Sequence, residues 1–172
     1  MGTAMRPHGR IEHMDIGVAT VEDAPVIAGL GVAIQRMHHD ERPDWFKPAD
    51  ETVGTELYGE LLRDPAVTVY LAEESEALGF VVVKLHHRPD SALGWGQTLL
   101  ELDQIGVAPS ARRRGVGHAL MNAVRERADE VSAKSIILTT WEFNVDAHRF
   151  FEAEGLSTEL RRMSKPWPSR RT

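Results

Sequence analysis

The sequence predicts a mixed α/β fold in which a mostly antiparallel sheet contains one parallel β-α-β crossover. Two apolar strands, at residues 67–73 and 78–87, are joined by a short acidic turn that is typical of an antiparallel hairpin. Further on, a strand at 98–107 is followed by a helix with an apolar period near 3.6, and then by a buried strand at 135–140. That order is the order of a β-α-β unit.

The other predicted elements complete the same pattern. In chain order they are a strand at 15–20, a helix from 20 to 37, a turn-rich loop at 38–50, a helix around 53–61, a short helix at 145–153 and a last strand at 156–165. We find no internal repeat or long linker, so we expect one domain over residues 14–165. Residues 1–13 are expected to form a flexible or added arm and residues 166–172 a short tail.

Composition excludes several classes of function. The chain of 172 residues has no cysteine, which excludes disulfides, a thiolate nucleophile and a zinc-finger site. The net charge of −6 argues against a general nucleic-acid-binding protein. No apolar run approaches the ~18 residues that a membrane span requires, and the first residues do not resemble a secretory signal. The expected location is therefore the cytoplasm.

The most informative segment is a glycine-containing turn at residues 112–117, between the strand at 98–107 and a long helix. A helix that begins in this way directs unpaired backbone N–H groups and the positive end of its dipole at an anion, which predicts a phosphate site. The segment is not a P-loop, because His118 and Ala119 follow Gly117. Nor is it a dinucleotide-binding fingerprint, because Leu120 stands where the third glycine belongs.

Two motifs carry a resemblance to a known family. Arg112, Gly115 and Gly117 match the order Arg/Gln-x-x-Gly-x-Gly/Ala, and the segment from Asn144 to Leu156 is similar to Asn-x-x-Ala-x-x-Phe-Tyr-x-x-x-Gly-Phe. In this order and separation the chain resembles the GNAT superfamily of N-acyltransferases. The resemblance implies the GNAT fold and transfer of an acetyl group from acetyl-CoA, with no metal, to a primary amine of a small molecule or peptide.

The resemblance also assigns residues to the binding of acetyl-CoA. These are Ile105, Val107, Arg112, Arg113, Arg114, Gly115, Val116, Gly117, Asn144 and Phe151. It implies that backbone N–H groups of residues 112–117 hold the pyrophosphate, and that main-chain groups of Ile105 and Val107 and the side chain of Asn144 contact the pantetheine arm. The side chains of Arg113 and Arg114 either contact phosphates of CoA or are solvated.

A general base is needed because an alkyl ammonium, with a pKa near ~10.4, is mostly protonated at neutral pH. The resemblance makes Glu101 the leading candidate, because some members of the family carry a glutamate base at this position of the motif strand, and Asp103 is the second. Strand alternation predicts that both share one face with Ile105, where mutual repulsion would favour protonation of one carboxylate. Alternatively, the two carboxylates line a solvated face or bind a cationic acceptor. His86 or His87 is the next candidate base.

Phe151 is a departure from the family pattern, which places there a tyrosine thought to protonate the leaving thiolate. Either water or another group protonates the thiolate, or catalysis is weak. The alternative function is therefore an acyl-CoA-binding sensor module of the same fold.

The remaining features have less specific interpretations. The histidine pairs at 38–39 and 86–87 are expected to be surface residues, and we predict no metal site. Asp44, Trp45 and Phe46 form either part of the acceptor site, as the resemblance implies for this loop, or an aromatic plug at the edge of the core. Expected partners are the amine acceptor, and neither nucleic acid nor membrane. Many members of the family pair through their last strands, which implies a homodimer.

Overall fold

A computed structural model describes residues 14–165 of the chain. The arm predicted at 1–13 and the tail predicted at 166–172 lie outside the described residues. The chain divides into two compact units, one ending at Thr139 and the other beginning at Thr140. The prediction of a single domain over residues 14–165 stays a prediction.

The first unit contains the sheet and three helices. Its elements are β1 (Asp15–Val18), α1 (Ala24–Glu41), α2 (Glu51–Leu61), β2 (Val67–Glu73), β3 (Ala77–Arg88), β4 (Gln97–Val107), α3 (Val116–Glu130) and β5 (Ser135–Leu138). Short 3₁₀ turns at Val21–Asp23 and Pro109–Ala111 precede α1 and α3. The predicted elements of this unit are therefore all present, with ends that move by a few residues.

The five strands lie in the order β1-β2-β3-β4-β5. The first three pairings are antiparallel, and only β4 and β5 run parallel. Since α3 connects β4 to β5, this is the single β-α-β crossover that the sequence predicts. The predicted fold class is confirmed.

Helices cover the two faces of the sheet. On one face, Ile27 of α1 and Tyr58 of α2 join Val69 of β2 and Phe80 of β3 in a buried cluster. On the opposite face lies α3, whose Val116 reaches the backbone of β3. Full burial of an apolar side chain of this size stabilises the fold by about 1.5–3 kcal/mol.

A side-chain cap starts α2. The carboxylate of Asp50 accepts hydrogen bonds from the amides of Thr52 and Val53, at 2.9 and 3.1 Å. Such a cap contributes about 1 kcal/mol. The helix then contacts the core through Tyr58, whereas Val53 and Leu57 of its predicted apolar face remain 60% and 46% exposed. These two side chains are therefore available to a ligand or partner.

The second unit contains α4 (Val145–Ala153), with the bounds that the sequence predicts. Gly155, at φ +88°, ends it in the left-handed conformation, and the amide of Leu156 donates to the Phe151 carbonyl at 3.0 Å. Such a turn satisfies carbonyls that the helix end would leave unpaired.

The predicted last strand at 156–165 is wrong. This segment has no regular secondary structure, and Leu160 and Met163 are both 88% exposed. A strand needs a neighbour that pairs with its backbone. Within residues 14–165 no strand pairs with this segment.

Candidate active site

A β-bulge in β4 determines which side chains share a face. Val82 of β3 pairs with Gln104 and Val83 pairs with Leu102, so that Asp103 is the extra residue on β4. A bulge of this kind reverses the alternation of side chains beyond it. Bulges are common beside active sites, where they redirect a side chain.

The bulge corrects one expectation from the sequence. Glu101 pairs with Lys84 and Ile105 pairs with Val81, and these two β3 partners point to opposite faces. Ile105 therefore lies on the face opposite to Glu101, and the prediction that they share a face is wrong. Asp103 does lie on the side of Glu101, because its carboxylate contacts Lys84.

A hydrogen bond and an ion pair join β3 to β4 on that face. His86 Nε2 lies 2.6 Å from Glu101 Oε2, and Lys84 Nζ lies 2.9 Å from Asp103 Oδ1. All four side chains are partly exposed, from 26% for Asp103 to 48% for His86. Each carboxylate therefore has its own basic partner. The repulsion expected from the sequence assumed that the two carboxylates were neighbours without such partners.

A buried tyrosine extends this polar cluster. The Tyr58 hydroxyl donates a hydrogen bond to Gln104 Oε1 at 2.6 Å. Burial, and to a smaller extent the negative charge of Asp103, raises the pKa of Tyr58 to about 12. The phenol therefore stays protonated at neutral pH and acts as a hydrogen-bond donor.

The turn before α3 has the geometry of an anion site. Arg113 and Gly115 both adopt the left-handed conformation, at φ +64° and +84°. The first amides of α3, at Val116 and Gly117, have no carbonyl one turn earlier in the helix to which they can donate. Residues 112–115 are exposed, so an anion can reach these N–H groups and the positive end of the helix dipole.

The side chains of the arginines in this turn differ in their surroundings. Arg114 Nη2 contacts both carboxylate oxygens of Glu74, at 2.9 and 2.8 Å. Arg112 and Arg113 are exposed. Of the two arginines proposed for phosphate contact, Arg114 is thus already engaged with an acidic residue.

The edge of β4 that faces β5 is paired over only part of its length. β5 pairs with the four residues of β4 from Leu99 to Leu102. The last pair joins Leu102 to Leu138. From Asp103 to Val107 no strand of the described chain pairs with this edge. Half of the backbone polar groups in a strand point to each side, so this part of β4 offers donors and acceptors to an extended ligand.

Two of the predicted site residues belong to the second unit. Asn144 caps α4, since its side-chain Oδ1 accepts from the amide of Ala147 at 3.2 Å. Phe151 is 7% exposed and its ring lies 5.2 Å from that of Phe150. Both side chains therefore have structural roles within the second unit.

The loop between α1 and α2 is held by polar contacts. Arg42 forms two hydrogen bonds to Asp44, both at 2.8 Å, and its guanidinium lies 5.9 Å from the centre of the Trp45 ring. Phe46 stacks on His38, and Trp45 is 64% exposed. Trp45 is therefore not buried in the core.

The histidine pairs form no metal centre in the part of the chain that the structure describes, which contains no group of three potential ligands. His87 lies on the face opposite to His86 and contacts Thr98 Oγ1 at 3.2 Å. Across residues 14–165 no helix has both the length and the hydropathy of a membrane span.

Sequence reasoning missed Tyr58, Lys84 and Gln104 as members of the polar cluster. The first is far away in the chain, and the other two are ordinary strand residues. Only the pairing of β3 with β4, including the bulge, brings them together. No local pattern in the sequence signals that register.

A sequence comparison finds a curated protein that is similar to part of this chain. An aminoglycoside N(6')-acetyltransferase type 1 from Klebsiella aerogenes is 38% identical over 72 residues, which are 42% of this chain and 46% of that protein. The chain therefore aligns with less than half the length of this curated relative.

Solved structures show the same fold at lower identity. The tetramutant of the BH1408 protein from Bacillus halodurans has a TM-score of 0.85 at 21% identity, covering 89% of this chain and 99% of that one. An aminoglycoside N-acetyltransferase AAC(6')-Iy in complex with CoA has a TM-score of 0.72 at 21% identity, covering 96% and 99%. Residues 34–156, more than half of the sequence, match the acetyltransferase (GNAT) family, and the chain belongs to that family.

Proposed function

We propose that this protein transfers the acetyl group of acetyl-CoA to a primary amine of a small molecule or peptide, with Glu101 as the general base. The observation that carries the proposal is the position of Glu101 on β4. Its carboxylate is 29% exposed, and beyond it the same strand has an unpaired edge that leads to the anion-binding turn before α3.

Acetyl-CoA fits the groups that this chain presents. The amides of Val116 and Gly117 and the left-handed Gly115 would hold the pyrophosphate. Main-chain groups of Ile105 and Val107 would bond the pantetheine arm along the unpaired edge of β4. Asn144 lies in the second unit, where its Oδ1 caps α4, and its contact with the arm stays what the family resemblance implies. When bound, acetyl-CoA supplies the activated acetyl group as a thioester.

Glu101 would prepare the acceptor for attack. One carboxylate oxygen takes a proton from the ammonium, and the freed nitrogen attacks the thioester carbonyl. The new C–N bond forms as the C–S bond breaks, CoA leaves as a thiolate, and the nitrogen releases its second proton to water to give the neutral amide. A positioned general base of this kind contributes about 10²–10⁴-fold to the rate.

Asp103 has a different role in this proposal. Its carboxylate is neutralised by Lys84 at 2.9 Å, on the same side of the strand as Glu101. It would attract a second cationic group of the acceptor, in competition with the lysine. It is the second candidate base if Glu101 is not required.

The departing thiolate would take its proton from water. Phe151, at the position where the family usually has a tyrosine, has no proton to give and is buried. The Tyr58 hydroxyl is committed to Gln104 and is only 5% exposed. Neither residue is therefore assigned the role of general acid.

The acceptor is proposed to be a small polar amine with several cationic groups. Carboxylates at Glu101 and Asp103 would suit an amino sugar or a polyamine. The names of two similar proteins, both aminoglycoside acetyltransferases, agree with an amino-sugar acceptor.

The test is thiol release from acetyl-CoA, followed with Ellman's reagent against aminoglycosides, polyamines and peptides with a free N-terminus. The chain has no cysteine and therefore gives no background of its own. We expect amine-dependent release in wild type, and a fall of about 10²–10⁴-fold in kcat for Glu101→Gln with unchanged CoA affinity. Wild-type turnover in Glu101→Gln would remove Glu101 from the mechanism.

A matched control and a second candidate function complete the design. Glu73→Gln removes an exposed glutamate from β2 and should leave turnover unchanged. Because Phe151 lacks the family's hydroxyl, the second candidate is an acyl-CoA sensor. Tight binding of acetyl-CoA by calorimetry, without thiol release for any amine, would favour the sensor.

A further inference from the structure

Two basic side chains of β3, those of Lys84 and His86, reach diagonally across to β4. In the strand register Lys84 stands opposite Glu101 and His86 stands opposite Leu99. Their nitrogen atoms instead contact residues two positions further along β4, which are Asp103 for Lys84 and Glu101 for His86. Diagonal neighbours of this kind are within reach of long side chains. Each carboxylate of β4 is thus assigned to one side chain of β3.

Chemistry decides which atom holds the proton between His86 and Glu101. An ionised carboxylate has lone pairs and no proton, so it can only accept. The proposed function needs Glu101 ionised as the base, and in that state the proton of the 2.6 Å contact belongs to His86 Nε2. The ring is then either the neutral tautomer with hydrogen on Nε2 or the imidazolium, and Nε2 is the donor in both.

This hydrogen bond distinguishes the two oxygens of Glu101. Oε2 accepts from His86, whereas Oε1 has no hydrogen-bond partner among residues 14–165. Without a partner, a partly exposed glutamate would rotate freely between conformers and could present either oxygen to an acceptor. Fixing one oxygen reduces that freedom and directs the other outwards.

Lys84 does not compete for this carboxylate. Its ammonium lies 2.9 Å from Asp103, which satisfies both charges of that pair. The only recorded partner of the Glu101 side chain in the described part of the chain is therefore His86. The ionisable groups that these contacts bring together are Glu101, His86, Lys84 and Asp103, and the charge of Asp103 acts on the buried Tyr58 phenol.

We propose that His86 is a positioning residue that holds Glu101 Oε2 through its Nε2–H and directs Oε1 towards the acceptor amine. The inference rests on the proposed function, because it needs Glu101 to act as the base. In this proposal His86 does not take a proton from the acceptor. The amine proton goes to Oε1 of Glu101, and His86 keeps its own proton throughout.

The experiment compares substitutions at two adjacent histidines of the full-length protein. His86→Ala removes the donor, and His86→Gln keeps an N–H donor that does not titrate. We expect His86→Ala to lower kcat about tenfold with KM for acetyl-CoA unchanged. His86→Gln should recover most of the wild-type kcat. His87→Ala, on the opposite face, is the matched control and should keep full activity.

A double-mutant cycle separates positioning from an independent role. If His86 acts through Glu101, His86→Ala should cause no further loss of kcat in the Glu101→Gln background. A further tenfold loss there would overturn the proposal. So would equal losses in His86→Ala and His86→Gln, which would indicate that the ring itself takes the proton.

Two readouts keep this test separate from that of the proposed function. Nitrogen-15 NMR of the His86 ring reports whether Nε2 carries hydrogen in wild type, as expected, and a lone pair on Nε2 would overturn the hydrogen bond and the proposal. Full activity in Glu101→Gln would instead overturn the proposed base. Thermal unfolding of each variant shows whether a loss of kcat arises from a loss of folded protein.

Discussion

The Tyr58 hydroxyl lies 2.6 Å from Gln104 Oε1 and joins helix α2 to the residue that follows the bulge in β4. The ring is 5% exposed and meets Phe80 edge-to-face, with centroids 5.6 Å apart. A buried hydroxyl needs such a partner, because leaving it unpaired costs about 1–3 kcal/mol. The contact therefore fixes α2 relative to the strand segment that carries Glu101 and Asp103.

Gly31→Ala should disturb this contact. A Cβ at Gly31 would lie 2.7 Å from the Tyr58 hydroxyl, too close for the ring to stay in place. We expect a net loss of about 1–2 kcal/mol in the free energy of unfolding, since overpacking costs more than the gain in helix propensity. Urea denaturation measures the change.

Gly29→Ala is the matched control, two residues earlier on the same helix. A Cβ at Gly29 meets nothing within 4 Å, so only the gain in helix propensity remains. We expect this variant to be more stable than wild type. Two variants of equal stability would show that Gly31 is not required for the position of Tyr58.

The raised pKa of Tyr58 predicts that the free energy of unfolding falls at alkaline pH. Its folded-state pKa, about 12, is above the ordinary value near 10. Between these values the unfolded chain loses the phenolic proton and the folded chain keeps it, so the stability contributed below pH 10 is lost as the pH rises. The slope is about 1.4 kcal/mol per pH unit. Denaturation of wild type and Tyr58→Phe from pH 9 to 12 should show a steeper fall for wild type, and parallel curves would contradict the assignment.

The sequence predicted most of the fold because its signals are local. The period near 3.6 in α3 and the acidic turn between β2 and β3 depend on neighbouring residues, and both elements appear where expected. The segment at 156–165 failed because a strand needs a pairing partner, and its own residues cannot show whether one exists.

The candidate site was predicted less completely. Alternation assigned Glu101 and Asp103 to one side, but it also placed Ile105 there, because it assumed a regular strand. The extra residue at Asp103 becomes visible only when β3 is laid against β4. The partners of the two carboxylates, His86 and Lys84, depend on the same register. Non-local pairing is thus what the sequence could not provide.

Gly115 provides a prediction for the anion-binding turn. At φ +84° an alanine would be strained by about 1–2 kcal/mol, although a Cβ there meets nothing within 4 Å. Gly115→Ala should therefore destabilise the fold and weaken CoA binding. Gly115→Asn should do so less, because asparagine tolerates this conformation better. Denaturation and calorimetry with CoA measure both effects, and equal losses for Ala and Asn would show that backbone conformation is not the cause.

The ion pair between Arg114 and Glu74 predicts how CoA affinity responds to a change outside the turn. Both oxygens of Glu74 contact Arg114 Nη2, so the guanidinium is held by a carboxylate that is only 15% exposed. Glu74→Gln would release that guanidinium beside the proposed phosphate site. We expect CoA to bind about two- to fivefold more tightly, with a larger gain at low salt.

Two further variants separate release of the arginine from a simple change of net charge. Glu76→Gln, in the same β2–β3 turn, removes an equal charge from a residue whose side chain has no partner among residues 14–165, and its effect should be smaller. In an Arg114→Ala background Glu74→Gln should lose most of its benefit, because no guanidinium remains to be freed. Calorimetric titration with CoA at two salt concentrations measures each case. An equal gain in Glu74→Gln and Glu76→Gln would mean that Arg114 stays away from the phosphates even when its partner is removed.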